Sequence, residues 1–122
     1  IKKTIGIEES KIEVIYNGIE IEKFRVNPTT KKSPDNDSKA VNLLFLGRLV
    51  NSKDPLTLLE AFKFLNFENV KLFIVGDGPL MKQLKEFVVK HNLKEQVVFL
   101  GAINNDEVPQ ILWDTDVFVM SS

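Results

Sequence analysis

The sequence predicts an α/β fold, a Rossmann-like doubly wound parallel sheet, on three observations. Short apolar runs recur along the chain, stretches of helical periodicity separate them, and Gly or Pro turns mark the boundaries. The runs 41–46, 70–75, 97–100 and 117–120 are rich in Val, Ile, Leu and Phe and show little polar alternation. That pattern suits strands covered on both faces, as in a parallel sheet. An earlier run, 12–16, alternates more and predicts a fifth strand.

Between strands the period changes. Over 55–66, Leu58, Leu59, Phe62 and Leu65 fall on one helix face. Over 79–91, Leu80, Leu84, Phe87 and Val88 do the same, and over 105–114 Val108, Ile111 and Leu112 give a shorter version. Asp54-Pro55 and Gly78-Pro79 each place a capping residue before Pro at the first helical position. Asn104 followed by Glu107 resembles a capping box, and Pro109 moves that helix start back toward Asp106. Strand and helix in this rhythm imply right-handed parallel crossovers. The sequence divides into an entry segment with a first strand (1–26), a flexible loop without core-forming residues (27–39) and a Rossmann-like domain (40–122). It starts at Ile1 and stops just after an apolar run, which predicts a piece of a longer protein.

Composition excludes several classes. The 122 residues carry 16 Lys and Arg against 17 Asp and Glu, so a strongly basic nucleic-acid binder is excluded. With no Cys, disulfide scaffolds, thiol nucleophiles and Cys-based zinc sites are excluded. No apolar run approaches the roughly 20 residues of a membrane span.

In an open α/β sheet, ligands bind at the carboxyl ends of the strands. Three loops fall there: 47–54, 76–79 and 101–105. The first is the most telling. Arg48, one of only two arginines, follows Gly47 directly after a buried strand, and Lys53 precedes a helix start. Glycine permits close backbone approach, and a helix N-terminus offers N–H groups and partial positive charge. Arginine adds a planar fork for phosphate oxygens and lysine a point charge. These residues together suit a diphosphate; the competing reading pairs Arg48 with a carboxylate and leaves Lys53 solvated. In the second loop Gly76 and Gly78 flank Asp77, either as a tight turn or for close approach to a nucleotide, and Gly101 in the third poses the same choice. Neither a dinucleotide fingerprint nor a P-loop is present.

Other residues carry less. His91 sits at a helix end and reads as a cap or surface residue, since no nucleophile or acid partner has useful spacing. Trp113 reads as core or an edge anchor. Phe62, Phe73, Phe87, Phe99 and Phe118 read as core, whereas Phe64 and Phe67 are candidates for contact with another part of the protein. Glu8-Glu9 and Asp106-Glu107 read as solvated faces or helix starts, not a metal cage.

The loops also carry a resemblance. Val14-Ile15-Tyr16-Asn17-Gly18-Ile19-Glu20 through Phe24 resembles the proline-asparagine-glycine-valine-aspartate segment of glycosyltransferase family 4. Leu46-Gly47-Arg48-Leu49 followed by Lys53 resembles its Gly-Arg-Leu turn and Glu-Lys-Gly loop. Val75-Gly76-Asp77-Gly78-Pro79 resembles its Val-Gly-Asp-Gly-Pro signature, and Val98-Phe99-Leu100-Gly101 and 116–122 resemble its later strands. The order and spacing agree from about residue 11 to the end.

The resemblance implies most of the C-terminal, donor-binding domain of a GT-B enzyme, a retaining transferase using a UDP-, GDP- or ADP-sugar without a bound metal or other cofactor. It implies that Arg48 and Lys53 contact the donor diphosphate, that Gly101, Ala102 and Ile103 meet the nucleobase, and that Gly47 and the Gly76-Asp77-Gly78 turn shape the pocket floor. It further implies that a paired-glutamate segment and an acceptor-binding N-terminal domain lie outside these residues. The piece alone is then expected to be inactive, its acceptor a saccharide or lipid-linked saccharide, and its location cytoplasmic, with any membrane attachment made by other parts. Departures are Tyr16 for Pro, Glu20 for Asp, and Ser52-Lys53-Asp54 for Glu-Lys-Gly. The alternatives are a non-catalytic α/β phosphate-binding or interaction module, or another GT-B enzyme such as a sugar-phosphate synthase or epimerase.

Overall fold

The computed structural model describes residues 8–25, 40–65 and 67–122. The loop expected at 27–39 lies outside them, as does residue 66 at the expected helix end. Four parallel strands form one sheet: β1 (Val41–Leu46), β2 (Val70–Val75), β3 (Val97–Gly101) and β4 (Val117–Phe118), in the order β3-β2-β1-β4. The helices are α1 (Pro55–Phe62), α2 (Met81–Lys90) and α3 (Val108–Trp113).

Strand order explains the layers. The chain steps from β1 to β2 to β3 in one direction, so right-handed crossovers place α1 and α2 on the same face. It then returns past β1 to β4, which sends α3 to the opposite face. Side chains alternate accordingly. Phe45, Leu72, Ile74 and Val97 join Leu58, Leu59 and Phe62 of α1 and Leu84 and Val88 of α2 in one buried core. Phe73 and Leu100 instead lie beside Ile111 of α3. That second face is thinly covered, and Leu100 stays 46% exposed.

The strands reproduce their apolar runs, with two differences. In β3, Phe99 and Gly101 face consecutive residues Ile74 and Val75, so Leu100 is an extra residue in a bulge. The run at 117–120 pairs as a strand only over Val117–Phe118, in register with Leu43 and Leu44. Being an edge strand, β4 leaves Phe118 half-exposed, contrary to the core reading of that residue. It is nevertheless anchored: the Asn42 N–H donates to Asp116 Oδ2 at 2.8 Å, the Asp116 N–H to the Asn42 carbonyl at 2.9 Å, and the Val119 N–H to the Leu44 carbonyl at 2.8 Å.

The fifth strand expected at 12–16 does not form. Ile15 and Tyr16 are 84% and 87% exposed and pair with no strand, so alternation there has no sheet to act on. The segment instead carries two short 3₁₀ turns, Glu9–Lys11 and Ile21–Phe24. Glu20 hydrogen-bonds Lys23 and raises its pKa, with Asp106 at 3.7 Å adding to the effect. These groups are exposed, so the pair contributes little to stability.

Helix ends follow local chemistry. α1 stops at Phe62 and unwinds through turns at Phe64 and Leu65, leaving Phe64 exposed. α2 begins two residues after Pro79, not at it, because the Gly78 carbonyl accepts from the Met81 N–H at 3.0 Å in a tighter turn and the first helical bond runs from the Leu84 N–H to the Leu80 carbonyl. It ends at Asn92, whose φ of 58° lets the Leu93 N–H reach the Val88 carbonyl at 2.9 Å. The His91 ring rests against Phe87, centroids 4.3 Å apart, as a helix-end residue. Trp113 ends α3 with part of its ring exposed. The expected capping box is present: the Asn104 N–H donates to the Glu107 carboxylate at 2.9 Å. A 3₁₀ turn, Asn105–Glu107, then leads into α3 and places Pro109 in its first turn.

Asp54 is, with Asn92, one of two non-glycine residues of positive φ among those described. Its φ of 43° and ψ of 52° lie in the left-handed region, where glycine is favoured. Its carboxylate offsets that cost by accepting from the Thr57 N–H at 3.3 Å and the Thr57 hydroxyl at 2.7 Å. Replacing Asp54 by Gly should exchange strain relief for a lost cap and change stability by less than about 0.5 kcal/mol. Asp54→Ala keeps the strain and loses the cap, so urea denaturation should show a loss of about 1–2 kcal/mol.

Gly76 and Gly101 make a second contrast. A Cβ on Gly76 (φ 131°) would fall 1.9 Å from the Gly47 carbonyl oxygen, whereas one on Gly101 (φ 75°) would meet open space. Gly76→Ala should therefore cost about 3 kcal/mol, and Gly101→Ala only about 1 kcal/mol for its backbone conformation. Equal losses in the two variants would contradict the packing described here.

Candidate functional site

The three loops at the carboxyl ends of β1, β2 and β3 are joined by their backbones. The Gly47 N–H donates to the Val75 carbonyl at 3.0 Å and the Leu49 N–H to the Asp77 carbonyl at 2.9 Å, extending the β1–β2 ladder past both strands. The Gly76 N–H donates to the Gly101 carbonyl at 2.7 Å, tying in the third loop. These contacts require glycine: a Cβ on Gly78 would lie 2.5 Å from the Leu49 carbonyl oxygen. Leu49 itself is fully buried and carries its loop into the core. In the second loop Gly76 and Gly78 thus admit a neighbouring backbone.

Above this floor lies a cleft of about 410 Å³, lined by Leu46, Gly47, Arg48, Val75, Gly76, Asp77, Ala102, Ile103, Asn105 and Val108. Its two charged lining residues are Arg48 and Asp77. The Asp77 carboxylate accepts from the Gly78 N–H at 2.7 Å, which turns one of its oxygens into the loop. Arg48 is exposed, and among the described residues its side chain has no ion-pair or hydrogen-bond partner. The ion pairs found there belong to Lys11, Lys23, Arg25 and Lys82. The carboxylate-paired alternative for Arg48 is therefore not what the structure has.

Of the nine residues expected at the site, six line the cleft: Gly47, Arg48, Gly76, Asp77, Ala102 and Ile103. Gly78 and Gly101 act beneath it through the contacts above. Lys53 is half-buried in a 3₁₀ turn, Asn51–Lys53, and does not line it. The helix start after Lys53 also differs from expectation. Pro55 has no N–H, and the Asp54 carboxylate already occupies the α1 N-terminus. A ligand's phosphate would meet a carboxylate there, so any phosphate affinity of this loop must come from the two cationic side chains and the loop backbone.

Asn105, which the sequence places in the third loop, and Val108, which it places on a helix face, also line the cleft although neither was among the expected site residues. The signal was the capping box: once Asn104 caps the turn, the next residues start a helix beside the loop at 101–103. A larger depression of about 690 Å³ runs along α2 past Met81, Lys82, Lys85 and Val89. It is lined almost wholly by one helix, Lys82, Lys85, Glu86 and Lys90 included, whereas three loops and a helix start converge on the strand-end cleft, which is the better candidate. Among the described residues no group of His, Cys, Asp and Glu is arranged to hold a metal ion, and no helix is long and apolar enough to cross a membrane.

Comparison with known proteins agrees with this architecture. The chain is 36% identical to UDP-Gal:alpha-D-GlcNAc-diphosphoundecaprenol alpha-1,3-galactosyltransferase of Escherichia coli, over 98% of this chain and 33% of that protein. It is 33% identical to N-acetylgalactosamine-N,N'-diacetylbacillosaminyl-diphospho-undecaprenol 4-alpha-N-acetylgalactosaminyltransferase of Campylobacter jejuni, over 84% of this chain and 27% of that protein. The chain thus spans about a third of the curated relatives it matches. Among solved structures, Anabaena Alr3699/HepE in complex with UDP superposes with a TM-score of 0.72 at 24% identity, over 96% of this chain and 34% of that one. The C-terminal domain of the group 1 protein LpcC from Francisella tularensis superposes with a TM-score of 0.66 at 20% identity, over 86% of this chain and 59% of that one. At these identities the superpositions establish the fold. The family model for glycosyl transferases group 1 matches residues 26–122, and the chain belongs to that family.

Proposed function

We propose that this chain supplies the donor half of a sugar transferase and holds the diphosphate of a nucleotide-sugar in the cleft at the strand ends. The observation that carries this reading is Arg48: an exposed guanidinium on a concave site, beside backbone glycines, with no side-chain partner among the described residues. A planar fork held free at such a place suits phosphate oxygens. Lys53 is the second cation. Ala102 and Ile103, with Gly101 behind them, form the wall against the nucleobase, and Gly47 and the Gly76-Asp77-Gly78 turn form the floor.

Transfer breaks the bond between the anomeric carbon and the diphosphate oxygen, whose electron pair leaves with the diphosphate, while the acceptor hydroxyl oxygen bonds to the same carbon and gives up its proton to the departing diphosphate. Arg48 and Lys53 stabilise that growing charge, the role a metal ion plays in many phosphate sites. On this reading no bound metal is required and the anomeric configuration is retained, as the family resemblance suggests. Family membership supports a nucleotide-sugar donor. The names of relatives, which include a UDP-Gal enzyme acting on a diphosphoundecaprenol-linked sugar, favour a UDP-sugar and a lipid-linked saccharide. Such donors favour cytoplasmic chemistry. The residues described here bind donor weakly by themselves and do not turn over without the remaining two thirds of the enzyme.

Calorimetric titration of the full chain with UDP, GDP and ADP tests the proposal. At least one should bind, and Arg48→Glu should weaken it by about 100-fold through loss of charge-assisted bonds and added repulsion. Because Arg48 is exposed, the melting temperature should move by less than about 2 °C. Unchanged affinity would sink the proposal, and a large fall in melting temperature would make Arg48 structural.

A further inference from the structure

One side chain reaches the diphosphate loop from the far end of the chain. The Ser121 hydroxyl, part-buried just beyond β4, lies 2.7 Å from the Asp54 carbonyl oxygen and 3.0 Å from the Lys53 carbonyl oxygen. It donates its single proton between the two, across a separation of 67 and 68 residues. Both acceptors need it. The Lys53 carbonyl ends a 3₁₀ turn, where carbonyls run out of partners along the chain. Asp54 holds the left-handed conformation, which a non-glycine residue keeps only when its surroundings over-determine it.

The other restraints on that peptide are all local. The Lys53 N–H donates to the Val50 carbonyl at 3.0 Å, the Asp54 N–H reaches the Val50 and Asn51 carbonyls at 3.2 and 3.1 Å, and the Asp54 carboxylate bonds Thr57. They fix the turn's own shape, and the buried Leu49 and Pro55 hold its two ends against the core. Among the described residues Ser121 adds the one side-chain hydrogen bond from another strand segment to its carbonyls, and β4 is itself pinned to β1 through Asn42, Asp116 and Val119. The strand that carries Arg48 at its end is therefore linked to Lys53 through β4 and one hydroxyl.

We infer that Ser121 is a positioning residue: by clamping the Lys53–Asp54 carbonyls it aims the Lys53 ammonium at the donor diphosphate, and its contribution to binding passes through Lys53. This inference rests on the proposed donor site.

The test compares UDP, GDP and ADP with their nucleosides on the full chain, the ratio of affinities isolating what the diphosphate adds. Ser121→Ala should reduce that ratio about five-fold, the weight of one hydrogen bond, while nucleoside affinity holds. Ser121→Thr keeps the hydroxyl and should restore the ratio. In a Lys53→Ala background, Ser121→Ala should have no further effect on it. A ratio unchanged by Ser121→Ala overturns the inference. So does an equal loss in the Lys53→Ala background, or a loss that also strikes nucleosides, since general loosening of the sheet edge would do both. A Lys53→Ala variant with wild-type affinity overturns it too, yet leaves the donor site standing if Arg48→Glu abolishes binding. Failure of every diphosphate to outbind its nucleoside in the wild type removes the donor site and this inference together.

Discussion

The contact on which the rest of the site depends is the approach of two backbones without side chains between them. The loop after β1 lies against the loop after β2 so closely that Gly76 and Gly78 have carbonyl oxygens where a Cβ would be. This approach lets the sheet's hydrogen-bond ladder continue beyond its last strand residues. It also keeps the loops stiff. Leu49 is buried between them, so the segment bearing Arg48 is held as firmly as the strands. Binding residues in α/β folds sit on loops, and stiff loops present charge with little ordering cost on binding.

Around that floor, the two faces of the sheet are unequal. One is closed by α1 and α2 and contains most of the buried apolar side chains. Among the described residues the other has only α3, and Leu100 and Phe118 are half-exposed. The bulge at Leu100 belongs to this asymmetry, because it turns the chain after β3 so that Gly101 meets Gly76 and the next residues form a wall of the cleft. Asp54 shows a different compromise. The family-like loop has glycine there, whereas this chain has a carboxylate in a glycine-like conformation that doubles as the cap of α1. The cap removes the helix N-terminus from the choice of phosphate ligands and throws that role onto side chains.

Much of this was legible in the residues. Buried parallel strands have a plain apolar signature, and β1 and β2 fall where the runs fall. The Asn104–Glu107 box was readable because capping is local chemistry. The place of Arg48 on the cleft was readable because loops that follow parallel strands gather at the carboxyl edge of the sheet. What could not be read depended on distant partners. The apolar alternation at 12–16 found no strand to pair with. Lys53 stands near Arg48 in sequence, yet its carbonyl accepts a hydrogen bond from a serine 68 residues away, which spacing along the chain does not reveal.

The placement of β4 has a consequence for how the structure is reached. β1 pairs with β2 across one βαβ unit, Val41 against Val70, and β2 with β3 across another. β4 closes onto β1 across a separation of 74 residues between Asn42 and Asp116, and it does so with only two residues in register. Loop-closure entropy grows with that distance, and the short pairing returns little to offset it. Entropy thus favours zippering β1, β2 and β3 first, with β4 docking onto a surface already made. The same imbalance makes the β4 edge the cheapest part of the sheet to open, a ranking that amide exchange at Val119 against Leu72 would reveal. The floor of the cleft and the Ser121 contact to the Lys53–Asp54 carbonyls therefore belong to different units of stability: one is built into β1 and β2, the other arrives with β4.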